Sequence, residues 1–234
     1  MRCAPSRSGG RRTPTPTGRP HLRARRVRTR PGWQARTVPS PRDHVIDALR
    51  RFQRRPLDRP DLKPAAVGIT LVEDATAFLL TRRAPSLRGH AGQWALPGGR
   101  ADPGESAGAA ARRELAEELG LVLDADAELG LLDDYATRSG YLITPVVLWA
   151  DGDPGLRPNP AEVAELHRVP VDLIDVEPRY LTIPESDAPV IQLPLLGRLV
   201  HAPTGAVLHQ FREVVLHGRD TRVAHLEQPV FAWR

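Results

Sequence analysis

The chain contains almost no cysteine: Cys3 is the only one among 234 residues. A single cysteine excludes a framework of intramolecular disulfides and a zinc site built from cysteines. No apolar run approaches the roughly 20 residues that a membrane-spanning helix needs. The basic N-terminus is not followed by the apolar core of a secretory signal. We therefore expect a cytoplasmic protein with no membrane partner, and the length suits one well-buried domain.

Acidic side chains are absent from residues 1–40, which contain eleven arginines. Subtracting these from 33 basic residues leaves 22 against 28 acidic ones, so residues 41–234 carry −6 while the whole chain carries +5. Residues 1–40 have too few large apolar groups to offset the entropy of ordering, and we expect a disordered Arg/Pro-rich extension. A basic arm of this kind can bind nucleic acid. An unstructured extension, or a start codon placed too far upstream, is the simpler interpretation, so nucleic acid is not expected as a partner.

From residue 41 to residue 234 the pattern is that of a domain with mixed helices and strands. Hydrophobic periodicity and turn residues predict a helix from Pro41, strands at 65–72 and 77–80, a helix over 106–119, and strands at about 129–137 and 141–149. A short helix is predicted near 161–167, and the segments 206–216 and 223–231 are predicted to be strands. Four histidines recur every eight residues across these last strands without metal-ligand spacing, and are assigned no function: His201, His209, His217 and His225.

Three glutamates share one face of the predicted helix at 106–119. At about 100° per residue, Glu117 lies about −60° and Glu118 about +40° from Glu114, so the carboxylates occupy an arc of about 100°. Like charges at these spacings destabilise a helix by a few tenths of a kcal/mol per pair. Hard cations such as Mg²⁺ take oxygen ligands of this kind. Taken alone, the cluster is either a divalent-metal site or a solvated acidic face balanced by neighbouring arginines.

A glycine pair before this helix favours the metal site, because Gly98 and Gly99 allow the backbone to approach a metal or ligand closely. The chain also fits the pattern G-x5-E-x7-R-E-U-x-E-E-x-G-U, where U is apolar, at every defined position: Gly99, Glu105, Arg113, Glu114, Leu115, Glu117, Glu118, Gly120 and Leu121. Segment 99–121 therefore resembles the box of the Nudix hydrolases, and the resemblance extends loosely over residues 41–234. It implies an α/β fold, an α/β/α sandwich with a mixed β-sheet.

The resemblance to Nudix hydrolases also implies a role for each matching residue. Glu114, Glu117 and Glu118 resemble the carboxylates that hold the divalent cations, Mg²⁺ or Mn²⁺, and Gly98 resembles the position whose carbonyl adds a ligand. Arg113 is similar to the arginine that orients the glutamates, and Glu105 to its acidic neighbour, so Glu114, Arg113 and Glu105 form the expected catalytic set. The general base is either a glutamate of the box or a residue on a later loop. Glu162 and Glu165 are candidates there, although each suits an ordinary surface acid better.

An upstream segment bears on the substrate. Residues 79–99, LLTRRAPSLRGHAGQWALPGG, resemble the L-L-T-x-R-[SA]-x3-[RK]-x3-G-x3-[FW]-P-G-G signature of coenzyme A diphosphatases. Leu96 departs from it, since the signature has Phe or Trp there. The resemblance implies cleavage of CoA or an acyl-CoA to 3′,5′-ADP and (acyl-)4′-phosphopantetheine. Arg83, Arg88 and His90 concentrate phosphate-binding donors before the metal loop, and we predict that they bind the substrate. The alternative for any one of them is a solvated strand end or loop.

Other activities remain open from the sequence alone. Within the family the substrate is alternatively ADP-ribose, a dinucleotide or a nucleoside triphosphate. A non-catalytic domain that senses a nucleotide is a second alternative, against which the complete set of glutamates argues. The sequence leaves the oligomeric state open, a homodimer included.

Overall fold

A computed structural model of the protein describes residues 40–86 and 91–233. The predicted extension 1–40 lies outside the described residues, except for Ser40. The helices are α1 (Pro41–Arg51), α2 (Ala107–Leu119) and α3 (Thr204–Phe211), which a π-helical turn continues over Arg212–Leu216. The strands are β1 (Lys63–Val72), β2 (Ala77–Arg83), β3 (Trp94–Ala95), β4 (Gly98–Arg100), β5 (Glu128–Leu131), β6 (Tyr135–Ala136), β7 (Tyr141–Trp149), β8 (Val163–Pro170), β9 (Arg179–Ile183), β10 (Ser186–Leu195) and β11 (Arg198–His201).

Helix α1 begins where the sequence predicts it. The hydroxyl of Ser40 accepts a hydrogen bond from the backbone N–H of Asp43 at 3.1 Å, and the Asp43 carboxylate accepts one in return from the Ser40 hydroxyl at 2.9 Å. Pro41 occupies the first turn, where its missing N–H costs nothing. The helix buries Val45 and Leu49 against the main sheet.

The main sheet has eight strands in the order β3-β2-β1-β7-β5, with β4 paired to β1, β6 to β7 and β8 to β2. Only the β1–β7 pair is parallel among the described pairs, so the sheet is mixed. Near its start, β1 has β4 on one side and β7 on the other, since Ala65 is opposite both Arg100 and Ile143. The strand order β4-β1-β7 forms the floor of the cavity described below.

Helices cover both faces of this sheet. Alternate residues of its strands point to opposite sides, so apolar side chains on each face pack against helices. Ile69 and Phe78 pack in one cluster with α1 and α3. Ala66 and Leu79 pack in the other with α2. The α/β/α sandwich with a mixed sheet is therefore confirmed.

Three sequence predictions in the C-terminal half are wrong. The segment near 161–167 is part of strand β8 rather than a helix, because it pairs antiparallel with the edge of β2. The segment 206–216 is helical. It is buried on nearly all sides, so periodicity does not distinguish it from a buried strand, and its polar residues are buried with the rest: His209, Gln210, Arg212 and Glu213. Residues 223–231 form a loop with one isolated bridge and the start of a 3-10 turn at Val230–Ala232. Of the four histidines at eight-residue spacing, His209, His217 and His225 therefore lie on no strand.

Two further differences concern elements that depend on tertiary contacts. The predicted strand at 129–137 is split into β5 and β6. Asp133 and Asp134 lie between these two strands, and their buried carboxylates form salt bridges with Arg222 and Arg54. The antiparallel sheet β11-β10-β9 was not predicted at all. Among the helices of residues 40–86 and 91–233, none has the length and apolar character that a bilayer crossing requires.

Candidate active site

Helix α2 positions the glutamate cluster, and local sequence determines both of its ends. The Ser106 hydroxyl accepts a hydrogen bond from the Ala109 N–H at 3.2 Å at the N-terminus. Gly120 ends the helix with a φ of 65°, a conformation that glycine adopts without strain. The apolar face of α2 packs on the sheet through residues including Leu115 and Leu119. The glutamates consequently face the loop that precedes the helix.

That loop contains β4, whose glycines lie between β1 and α2. Gly98 is opposite Val67, and a Cβ on Gly98 would overlap the carbonyl oxygen of Ala66. A Cβ on Gly99 would lie 2.5–2.7 Å from the carboxylate atoms of Glu114. Gly98 therefore excludes a side chain because of backbone, whereas a side chain at Gly99 would displace a candidate metal ligand.

Arg113 is bonded to three acidic side chains. Its guanidinium donates to both Glu105 oxygens at 3.1 and 3.0 Å, to Glu114 at 2.9 Å and to Glu117 at 3.4 Å. It also donates to the Arg100 carbonyl at 2.8 Å, which ties α2 to the metal loop. The hydrogen bonds from Arg113 lower the pKa of Glu105. These contacts fix Glu114 in orientation and reduce the repulsion within the cluster.

Glu118 is buried without a full set of partners. Its Oε2 atom has no donor among the described residues, and its Oε1 atom lies 4.0 Å from an Arg83 nitrogen. Burial raises the pKa of Glu118 to about 8; Arg83 and a hydrogen bond from the Gly98 backbone oppose the shift, and the charges of Glu114 and Glu162 add to it. Burial also raises the pKa of Glu114. Arg113 pairs with Glu114, whereas no guanidinium of the described residues lies within hydrogen-bond distance of Glu118, so negative potential concentrates at Glu118.

The residues present fit a divalent cation. Within the part of the chain that the structure describes, no three Asp, Glu, His or Cys side chains already converge as metal ligands. Two observations nevertheless indicate a cation: the unpartnered buried oxygen of Glu118, and the Glu114 carboxylate seated against the bare backbone of Gly99. A cation between these groups would supply the partner that Glu118 lacks and remove the cause of its raised pKa.

A cavity of about 750 Å³ opens in front of these carboxylates. It lies within the range of roughly 300–1,000 Å³ that is typical of small-molecule sites. Glu114, Glu118 and Glu162 line it together with Arg83, whose Nε is buried and has no partner among the described residues. The Asn159 side chain donates to Glu162 at 3.1 Å.

The other predicted site residues lie at the edge of this arrangement or outside it. Glu105 and Glu117 do not line the cavity, and Glu117 is half-exposed. Glu165 pairs with exposed Arg82 at 2.7 Å and with His167 at 3.2 Å, so it is a surface acid. Arg88 and His90 lie outside the described residues.

Sequence reasoning missed one wall of the cavity. This wall comes from residues about 100 positions beyond the glutamates: Leu199–Thr204, Gln228, Phe231 and Ala232. Thr204 connects this wall to strand β3, since the Thr204 hydroxyl donates to the Trp94 carbonyl at 3.3 Å. No local signal identifies such residues, because only the tertiary fold brings them to the cavity.

We expect the stability of the metal-free protein to fall as pH rises, relative to that of Glu118→Gln. Glu118 has an ordinary pKa of 4.5 when unfolded and one of about 8 when folded. Between these values the folded state binds more protons than the unfolded state, so the free energy of unfolding falls by up to about 1.4 kcal/mol per pH unit. The gap in melting temperature between Glu118→Gln and wild type in EDTA should widen from pH 5 to pH 8. A gap that is constant over this range would contradict the burial of an ionisable Glu118.

Comparisons with known proteins agree with the family resemblance of the box. A family model described as the NUDIX domain matches residues 62–193, more than half of the chain. An "Uncharacterized Nudix hydrolase NudL" of Photorhabdus laumondii is 46% identical over 134 residues, covering 54% of this chain and 72% of the relative. Its counterpart of Pectobacterium atrosepticum is 39% identical over 140 residues, covering 57% and 73%. A solved MutT/nudix family protein of Enterococcus faecalis is 18% identical with a TM-score of 0.44, covering 70% of this chain and 67% of that one.

Proposed function

The chain belongs to the Nudix hydrolase family, and within the pyrophosphohydrolase activity of that family we propose that its substrate is CoA or an acyl-CoA. Members of the family act on small-molecule nucleoside diphosphate derivatives. The proposed products are 3′,5′-ADP and (acyl-)4′-phosphopantetheine. The observation that carries the proposal is the segment 79–99, which resembles the CoA diphosphatase signature except at Leu96 and whose described residues Arg83, Gln93–Leu96, Gly98 and Gly99 line the cavity.

We assign the divalent cation, Mg²⁺ or Mn²⁺, to Glu114 and Glu118, with the carbonyl of Gly98 and the half-exposed Glu117 as further ligands. The unpartnered oxygen of Glu118 and the contact of Glu114 with Gly99 support the first two. When bound, such a cation supplies positive charge that neutralises the diphosphate oxygens and makes water more acidic.

The remaining residues of the site position these ligands and move a proton. Arg113, held by Glu105, fixes the orientation of the Glu114 carboxylate. Hydrolysis forms a bond from a water oxygen to phosphorus, breaks the bridging P–O bond and releases a proton. Glu162 lines the cavity beside both glutamates and is oriented by Asn159, so it is our choice of acceptor for that proton. Glu165, the other later candidate, lies outside the cavity.

Arg83 supports a phosphate-rich substrate. Its guanidinium lines the cavity beside Glu118, and its buried Nε has no acceptor within the described ranges. Arginine suits bidentate binding of phosphate oxygens, and CoA carries a 3′-phosphate besides its diphosphate. Leu96, the departure from the signature, is buried in the apolar core, where an aliphatic side chain replaces an aromatic one. The cytoplasmic location stays a prediction from the sequence.

We expect CoA or an acyl-CoA to exceed ADP-ribose, dinucleotides and nucleoside triphosphates in kcat/KM when purified protein and Mg²⁺ or Mn²⁺ are offered all of them. Arg83→Ala should lower kcat/KM for CoA about ten- to a hundredfold, since a hydrogen bond to a charged group contributes about 1.5–3 kcal/mol. Arg82→Ala is the matched control, because Arg82 is the exposed neighbour that pairs with Glu165.

Dephospho-CoA, which lacks the 3′-phosphate, identifies the phosphate that Arg83 contacts. If Arg83→Ala and wild type cleave dephospho-CoA equally well, Arg83 binds the 3′-phosphate; if the loss persists, it binds the diphosphate. Faster cleavage of ADP-ribose or a triphosphate than of every CoA species would refute the CoA assignment. Binding of nucleotides without cleavage of any would favour the non-catalytic alternative.

A further inference from the structure

The cavity is charged at only one of its ends. Among residues 40–86 and 91–233, the charged residues that line it all belong to the metal loop, to α2, or to the adjoining β2 and β8 segments: Arg83, Arg100, Glu114, Glu118 and Glu162. From β4 the cavity crosses β1 to β7, where Tyr141 lines it. Two strand spacings separate β4 from β7, about 10 Å. The far end therefore accepts a part of the substrate that lies beyond the diphosphate and carries no charge.

We call this far end the C-terminal chamber and define it by Tyr141, His201, Pro203, Gln228, Phe231 and Ala232. The ring of Phe231 meets that of His201 edge-on, with centroids 5.3 Å apart. Phe231 remains 61% exposed, so its ring is available to a ligand. The His201 ring accepts a hydrogen bond from the Gln192 amide at 2.9 Å. Burial lowers the pKa of His201, which favours the neutral imidazole.

Gln228 contributes one unused donor to the chamber. The residue is 1% exposed, and its Oε1 accepts the backbone N–H of Arg138 at 2.7 Å. That bond fixes the amide orientation, so the other terminal atom, Nε2, is a donor. It is buried without a partner among residues 40–86 and 91–233. A buried donor of this kind needs an acceptor, and in a cavity wall the ligand is the group that can supply it.

We propose that the C-terminal chamber binds the nucleobase of the substrate, which stacks on Phe231 and accepts a hydrogen bond from the Gln228 amide. A nucleobase is flat, uncharged and rich in ring-nitrogen and carbonyl acceptors. Aromatic side chains stack on any base, and a glutamine amide is a common reader of base edges. A second phosphate fits less well, because no Arg or Lys of the described ranges lines the chamber. A flexible aliphatic arm would stack poorly on the aromatic rings of the chamber and would lose more conformational entropy on binding.

This inference rests on the proposed function for the identity of the ligand, but its test does not need turnover. Adenosine, guanosine, cytidine and uridine are titrated into the full-length protein in EDTA, with pantetheine as the rival probe, and binding is measured by calorimetry or ligand-observed NMR. At least one nucleoside should bind. Phe231→Leu should weaken that binding about tenfold, the order expected for loss of one stacking partner.

Matched variants separate stacking from folding. Phe231→Tyr keeps the ring and should bind within twofold of wild type. Val230→Ala should do the same, because Val230 is an exposed neighbour that does not line the cavity. Gln228→Glu keeps an oxygen for the Arg138 N–H but removes the amide donor, and should weaken the preferred nucleoside about tenfold while the melting temperature reports on folding.

The proposal is overturned if no nucleoside binds, if Phe231→Leu binds as wild type does, or if pantetheine binds and Phe231→Leu abolishes that binding instead. A protein that binds a nucleoside here but cleaves no CoA species retains the chamber and loses only the substrate assignment. Cleavage of CoA without nucleoside binding would instead retain the substrate assignment and exclude the chamber as the base site.

Discussion

Replacing Glu118 with Gln should lower turnover at least about a hundredfold while the fold becomes no less stable. The substitution keeps the shape of the side chain but removes one of the two carboxylates assigned to the cation, whose charge stabilisation is worth several kcal/mol. In wild type this carboxylate is buried with an unpartnered oxygen and is repelled by Glu114 and Glu162. Removing its charge should therefore raise the melting temperature in EDTA at pH 8, and should abolish the further increase that Mg²⁺ gives to wild type.

Glu165→Gln is the control for this prediction. Glu165 is an acid of the same type, three positions beyond Glu162, but its carboxylate is exposed and pairs with Arg82 outside the cavity. It should keep wild-type turnover and the wild-type response to Mg²⁺. Normal turnover of Glu118→Gln at saturating metal would remove Glu118 from the metal site, whereas loss of the folded state would show that its role is structural.

Alanine at each of the two adjacent glycines of the metal loop should have a different effect, on stability at Gly98 and on turnover at Gly99. A Cβ on Gly98 meets backbone, the Ala66 carbonyl and the Val67 Cα, which cannot move without breaking the β1–β4 pairing. We expect Gly98→Ala to cost about 2–3 kcal/mol, a drop of roughly 5–10 °C in melting temperature. A Cβ on Gly99 meets only the end of the Glu114 side chain, which can rotate away. Gly99→Ala should keep its melting temperature and lose turnover about a hundredfold, because a ligand displaced by about 1 Å has that effect.

Gly155→Ala provides the reference, since a Cβ there meets nothing within 4 Å. Melting temperature by differential scanning calorimetry and turnover at saturating metal should be measured on all three variants. Equal loss of stability in Gly98→Ala and Gly99→Ala, or full turnover in Gly99→Ala, would show that the Glu114 carboxylate does not need its place beside this backbone.

The metal end of the site could be predicted because its determinants are local. Cap residues, helical spacing and a glycine pair define α2 and its loop within segment 98–121, and the structure has the helix at Ala107–Leu119 with Gly120 as its cap. The same holds for α1, where Ser40 and Asp43 form a reciprocal cap.

The other end could not be predicted, because its determinants are separated in sequence. Strand β8 exists by pairing with β2, whereas its own residues led to the prediction of a short helix. Glu162 reaches the cavity through this pairing, where its carbonyl accepts the Ala84 N–H at 2.8 Å. The run at 206–216 is buried on nearly all sides, so its polar residues form internal contacts rather than the solvated face that is typical of a surface helix.

The flanking of β1 by β4 and β7 has a consequence for how this protein could change its substrate. The distance between the metal loop and Tyr141 is a sum of interstrand hydrogen-bond spacings, and no side-chain substitution alters it. How far apart two chemical groups of the substrate must lie is thus fixed by the backbone. What the distant group is depends on a few side chains near the C-terminus, beyond the segment matched by the family model. The distance between the two groups is therefore a property of the fold, whereas the chemical nature of the distant group can change through substitutions near the C-terminus.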